Sequence, residues 1–342
     1  MKNLLLAFLV VMTAFVSSCT TDFDLTSDWK DVTIVVGLLD ASDTAQYIKI
    51  NKAFLDQTTS ALEIAQISDS LFYKSLTVSL DHLDPAGNVV ASYPLTKVDG
   101  NLEGLTKDTG VFANTPNYLY KTNQPISSGI YRINVVKTDD GKTVTATTDV
   151  IGDFTVTRPN LGIEKVNFIP SGKYNVQWYT PQYSKIFDLT IRFHYEERDI
   201  NTNAVLRDTF FDWNVFNTLV QSDGQNNFNY AIPGKSFYQI VKAKLAINTD
   251  VKRIPLSLDF KFSVGGEELY KYYLVNNAQT GITSGQIQPD YTNVTNGLGI
   301  FSSRYHKNLI GVMIDPRTQD SLACNPLTHD LNFIKTNGNF CQ

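Results

Sequence analysis

Apolar residues recur along most of this chain with the two-residue period of half-buried β-strands. The cleanest stretch spans residues 186–196. Phe187, Leu189, Ile191, Phe193 and Tyr195 fall on one face there, and Asp188, Thr190, Arg192, His194 and Glu196 on the other. Leu256, Leu258, Phe260, Phe262 and Val264 alternate as regularly with Ser257, Asp259, Lys261 and Ser263. Nearer the start, Val32, Ile34, Val35 and Val36 form a short buried-type run. Ile48 and Ile50 then alternate with Tyr47, Lys49 and Asn51, and Leu76, Val78 and Leu80 with Ser75, Thr77 and Ser79. Turn chemistry separates such runs. In Asp84-Pro85-Ala86-Gly87-Asn88, proline presets φ and glycine takes the positive-φ position. Asp139-Asp140-Gly141 closes a hairpin between Tyr131–Val135 and Val144–Thr148. Asn201-Thr202-Asn203 turns the chain into a strand over 205–213.

The period becomes helical in four places. Residues 60–67 predict a short helix. Ser236 with Gln239 forms a capping-box pattern ahead of Phe237, Ile240, Val241 and Leu245. Residues 267–278 start with two glutamates, where the helix dipole favours them, and carry Leu269, Tyr272 and Tyr273 on an apolar face. Asp315-Pro316 starts a last helix before Cys324. Residues 280–295 read as an exposed loop. Leu298, Ile300 and Phe301 begin a strand to which 309–314 pairs. The resulting expectation is a mainly β chain. An immunoglobulin-like or transthyretin-like β-sandwich covers 32–153, and a β-rich domain with two or three short helices covers 160–342. Arg158-Pro159-Asn160 is the expected linker.

The first residues follow a different logic. Lys2 precedes an apolar run of roughly 13 residues, Leu4 to Val16, which ends at Val16-Ser17-Ser18-Cys19. A basic start, a short apolar core and small residues before a cysteine predict a signal peptide over 1–18 with lipid attached at Cys19. Residues 19–31, with Asp22, Asp24, Asp28 and Asp31, read as an acidic tether. Past Val16 no apolar run approaches the roughly 18 residues of a spanning helix.

Composition supports a packed interior, with 42% hydrophobic and 12% aromatic residues. The net charge of −5 and the absence of a basic stripe argue against nucleic acid as a partner. Three cysteines leave an even pair once lipid takes Cys19, so Cys324 and Cys341 are expected to form a disulfide in an oxidising compartment. No Gly-x-Ser-x-Gly elbow, phosphate-binding loop or His-Glu-x-x-His pair is present. Gly297-Leu298-Gly299 is only a fragment of a nucleotide motif. His82, His194, His306 and His329 are far apart in the chain, and no catalytic residue, metal ligand or cofactor is expected. Glu196-Glu197 and Glu267-Glu268 are the carboxylate pairs that glycoside hydrolysis would need, but neighbours on a strand face opposite ways. Trp178, Trp213, Tyr270, Tyr272 and Tyr273 are candidate sugar-stacking aromatics.

Gly37-Leu38-Leu39-Asp40, the stretch 47–55, and Thr295-Asn296-Gly297-Leu298-Gly299-Ile300-Phe301 carry a resemblance spanning nearly the whole chain after Cys19. They resemble a family of Bacteroidota outer-membrane lipoproteins that share a domain of unknown function and are often encoded beside TonB-dependent transporters. The resemblance implies a lipid-anchored, non-catalytic accessory or ligand-binding partner of such a transporter. A fimbrial subunit or surface adhesin is the alternative, and a glycan-active enzyme the third reading.

Overall fold

The computed structural model describes residues 32–53, 60–278 and 291–341. The chain is mainly β, with 49% strand and 15% helix in several sheets and a few short helices, as the alternation predicts. Cys19, the signal peptide, the tether and most of the loop expected over 280–295 lie outside the described residues.

In chain order, β1 (Thr33–Asp40) and β2 (Gln46–Lys52) precede α1 (Ala61–Ala65) and α2 (Ser68–Leu71). There follow β3 (Leu76–Leu83), β4 (Val89–Pro94), β5 (Thr96–Asp99), β6 (Tyr118–Thr122), β7 (Gly129–Lys137) and β8 (Thr143–Val150). The next group is β9 (Val156–Arg158), β10 (Lys173–Tyr179), β11 (Ser184–Asp199), β12 (Val205–Val220) and β13 (Asn227–Pro233). The last is α3 (Gly234–Lys244), β14 (Val251–Gly266), α4 (Glu267–Ala278), β15 (Val294–Thr295), β16 (Gly297–Met313) and α5 (Pro316–Cys324), with a 3-10 turn at His329–Leu331.

One eight-stranded sheet in the order β12-β11-β14-β16-β1-β2-β6-β5 runs through the molecule. A three-stranded sheet, β13-β10-β9, and a five-stranded sheet, β15-β8-β7-β3-β4, complete the fold. Two apolar cores result. One joins Val35, Ile48 and Tyr120 to Val78, Ile133 and Val144, and the other joins Phe187, Ile191 and Phe260 to Val176, Trp178 and Phe237. They meet between Val150 and Ile151, close to the boundary expected from the sequence. The two regions are nonetheless not independent, because Val294 and Phe301 from late in the chain complete the first core. Nor is Arg158-Pro159-Asn160 a free linker: Arg158 ends β9, which pairs with β10.

The joint between the regions is β1 on β16, the parallel pairing in the large sheet, in register from Thr33↔Gly297 to Asp40↔Arg304. Glycine permits it. A Cβ on Gly299 would lie 2.0 Å from the Val35 carbonyl oxygen, and its φ is +117°. The Gly297-Leu298-Gly299 fragment is thus a close-approach device between strands. The strand pair expected over 298–314 is instead this single 17-residue strand, bent at Gly311 (φ +73°). β12 likewise runs beyond the expected 205–213.

Helix starts were legible to differing degrees. Ser60 caps α1 by accepting from the Leu62 amide, and Asp315 caps α5 by accepting from Arg317. The capping box at Ser236 is not formed. α3 begins at Gly234 after an N-cap at Pro233 that makes no side-chain cap bond, and a Cβ on Gly234 would meet the Ile169 carbonyl oxygen at 1.9 Å, so the position requires glycine. α4 occupies the expected span, but Tyr272, Tyr273 and Leu274 on it are exposed, so the expected apolar face is not buried. Cys324 and Cys341 are bonded, with Cα atoms 5.2 Å apart, and tie the C-terminal tail to the end of α5.

Candidate functional site

Alternation on β1 and β2 sends Val35, Ile48 and Ile50 into the core and leaves Ile34 and Val36 beside Asn51 and Lys49 on the opposite face (Ile34↔Asn51, Val36↔Lys49). A solvated face would carry polar residues at 34 and 36. Here it is partly roofed. Leu71 of α2 and the loop between β5 and β6 come over it, enclosing a groove of about 410 Å³. Local hydrogen bonds hold the loop: Lys107 Nζ donates to the Ala113 carbonyl (3.0 Å), Asn117 Nδ2 to Leu105 (3.0 Å), and the Ala113 amide to Ala65 (2.8 Å). Leu71, Phe72 and Ala113 form a small cluster of their own, packed on Tyr118.

The lining is apolar on the floor and cationic at the rim. Ile34 and Val36 supply the floor, Leu71 and Phe112 the apolar roof, and Lys49, Lys52 and Lys107 the charge. Val36 remains 43% and Phe112 48% exposed. Among the described residues none of the three lysines forms an ion pair. The Lys49 Nζ donates to Asn117 Oδ1 across 3.4 Å, and Lys107 sits 5.3 Å from the Phe112 ring centroid. Burial and then the neighbouring Lys107 charge hold the Lys49 ammonium below its ordinary range, and burial lowers Lys107. The arrangement attracts an anion carrying apolar surface. Sequence parity places Lys49 on the outer face, but the roof comes from residues far along the chain.

The glutamates singled out earlier are dispersed. Glu197 continues the core-facing parity of Phe187–Tyr195 and is 3% exposed. Its Oε2 accepts from Arg207 Nε (2.6 Å) and its Oε1 from Arg253 Nε (2.9 Å). Arg253 is itself buried and donates further to the Leu331 and Ala246 carbonyls. Burial pushes the Glu197 carboxyl up, and hydrogen bonds from both arginines more than offset this, leaving it below the ordinary value. Glu196 pairs with Arg198 on the other face. Glu267 and Glu268 line a shallow pocket of about 250 Å³ with Asp149, Thr148 and Ser184. Burial, followed by the Glu268 charge, raises the Asp149 carboxyl. Lys271 pairs with Glu268 at 3.1 Å, and Lys185 with Glu267 at 3.7 Å.

The histidines occupy four separate places. His82 stacks on Tyr131, His194 Nε2 lies 2.8 Å from Asp259, His306 Nδ1 lies 2.6 Å from Asp40, and His329 faces the Pro326 carbonyl. Ser42 Oγ also donates to Asp40 (2.5 Å), so serine, aspartate and histidine do meet. The carboxylate stands in the middle, however, and a nucleophilic triad needs the imidazole there to take the serine proton. Trp178 and Trp213 are buried in the second core and offer no sugar platform. Tyr272 and Tyr273 are exposed on α4, and Tyr270 is half-buried near the Lys185 ammonium. Among the described residues no cluster of three or more metal-ligating side chains occurs, and no helix is long and apolar enough to cross a membrane.

The sequence matches no protein-family model and no curated protein sequence. Among solved structures, it is similar to Escherichia coli alpha-2-macroglobulin activated by porcine elastase at 13% identity, over 69% of this chain and 18% of that one. The TM-score of 0.17 is too low to carry an argument about function.

Proposed function

We propose that this chain is a lipid-anchored, non-catalytic binding protein of the outer membrane that serves as accessory to a TonB-dependent transporter. The observation that carries this is the lysine-rimmed apolar groove on β1 and β2. It opens beside Ile34, directly after the residues that would tether the body to lipid at Cys19. Support also comes from the acids and bases in the chain. Glu197 holds two arginines, Asp40 divides serine from histidine, and both arrangements have a structural use. The test is co-purification of the full-length protein from detergent-solubilised outer membrane, with metabolic palmitate labelling alongside. Recovery of a transporter, with label lost in Cys19→Ala, is the expected result. Labelling unchanged by that substitution would remove the anchor, and repeated capture without a transporter would remove the partner.

A polymer-forming subunit is the second reading, and one observation favours it. β12 presents a 16-residue edge that, among the described residues, pairs only with β11, and open edges accept donated strands. Electron microscopy of overexpressing cells distinguishes the two, since filaments belong to this alternative alone.

A further inference from the structure

We propose that the groove over β1 and β2 takes a free single-chain carboxylate amphiphile, its headgroup between Lys49 and Lys107 and its alkyl chain along Val36 and Phe112. This rests on the binding-protein reading above and names the ligand class of the same site.

Three features narrow the occupant. First, Lys49 and Lys107 line the same groove, and neither meets a carboxylate among the described residues. Placing unpaired cations in a half-buried site costs stability, and a bound anion removes that cost. Second, the floor is apolar where a strand face turned to solvent is ordinarily polar, so a small inorganic anion would leave Ile34, Val36 and Phe112 unused. Third, a volume of about 410 Å³ sits near the small end of the roughly 300–1,000 Å³ range of ligand pockets. That matches one short alkyl chain lying in the groove. The Asn51 amide lines the groove beside the lysines and offers a hydrogen bond to a carboxylate.

The test uses the mature protein held by its own lipid in phosphatidylcholine nanodiscs. It is titrated calorimetrically with decanoate, decanol and acetate against empty discs. Decanoate is expected to bind saturably at one site, at least about tenfold more tightly than decanol or acetate, as a charge-assisted headgroup contact requires. Lys49→Met and Lys107→Met, which keep the stem volume, should each weaken decanoate about tenfold. A single cooperative unfolding transition in each would show that these variants fold. Decanol binding as tightly as decanoate, no saturable heat above empty discs, or indifference to both substitutions overturns the assignment. Tight attachment to phosphatidylglycerol discs that decanoate cannot compete away would also overturn it, in favour of a membrane headgroup. Transporter co-purification run on the parent protein separates the two levels. Capture retained without decanoate binding sinks the ligand class alone, and loss of both sinks the binding-protein reading with it.

Discussion

Glu197→Gln is the substitution that most sharply divides a structural carboxylate from a catalytic one. The change keeps the side-chain size and one acceptor oxygen but removes the charge that Arg253 faces at 2.9 Å. Arg253 is 3% exposed, so its guanidinium cannot turn to water, and its bonds to Leu331 and Ala246 anchor it in place. Breaking a buried ion pair from one side costs about 3–5 kcal/mol, and the retained acceptor puts this case near about 3. For a chain of this size that corresponds to a melting temperature lower by roughly 4–5 °C. Arg207 contributes little to the figure, since it is largely exposed and water screens its pair. Denaturant unfolding followed by tryptophan fluorescence measures the loss, Trp178 being fully buried in the same core. The pH dependence has a fixed sign. The folded carboxyl titrates below its ordinary value of 4.5, so its contribution is complete above that pH and fades as pH falls toward the lowered value. The deficit of Glu197→Gln should therefore shrink below about pH 4.5. Adding Arg253→Met should recover part of the loss, because no unpaired charge then stays buried. A Glu197→Gln protein within about 0.5 kcal/mol of the parent, or a double variant whose losses merely add, would refute the reasoning. A glycan-cleaving activity abolished at unchanged stability would make the residue catalytic instead.

Gly299→Ala should destabilise by more than about 3 kcal/mol, because its methyl group would overlap the Val35 carbonyl at a positive φ. Its unfolding midpoint reads this, and a midpoint near the parent's would show that β1 and β16 can separate cheaply. Cys324→Ser should lower stability by about 3 kcal/mol, the loop-closure value for 17 residues, and expose the tail to protease. The same thermal scan with and without reductant checks it, and an indifferent parent protein would contradict it. Lys49→Met should leave the melting temperature unchanged or raise it, because it removes a half-buried cation that meets no carboxylate among the described residues. A lower value would mean that the ammonium has a stabilising partner.

Local features were legible where a short window holds the whole cause. The parity of Phe187 to Tyr195, the Asp84–Asn88 and Asp139–Gly141 turns and the helix starts near Ser60 and at Asp315 all depend on neighbours a few residues apart. Extending the β11 parity by one step would have placed Glu197 inside, a signal that the doublet with Glu196 masked. The β1–β16 pairing left no such trace, since Asp40 and His306 are 266 positions apart and either strand's periodicity fits many partners. The groove was half legible for the same reason. Val36 and Lys49 share a face by alternation, yet Leu71, Lys107 and Phe112 reach it only through tertiary packing. Ser236 misled because the helix already starts at Gly234, directly after β13 ends at Pro233, so residue 236 lies inside its first turn.

The parallel seam between β1 and β16 also has a mechanical meaning. Any tug delivered through the residues ahead of Thr33 runs along β1, which is laced to β2 on one side and to β16 on the other. Such a load shears a row of bonds that must fail together, where a hairpin pulled from its end would unzip one rung at a time. A pull from that end therefore meets a shear-loaded strand pair before it reaches any hairpin.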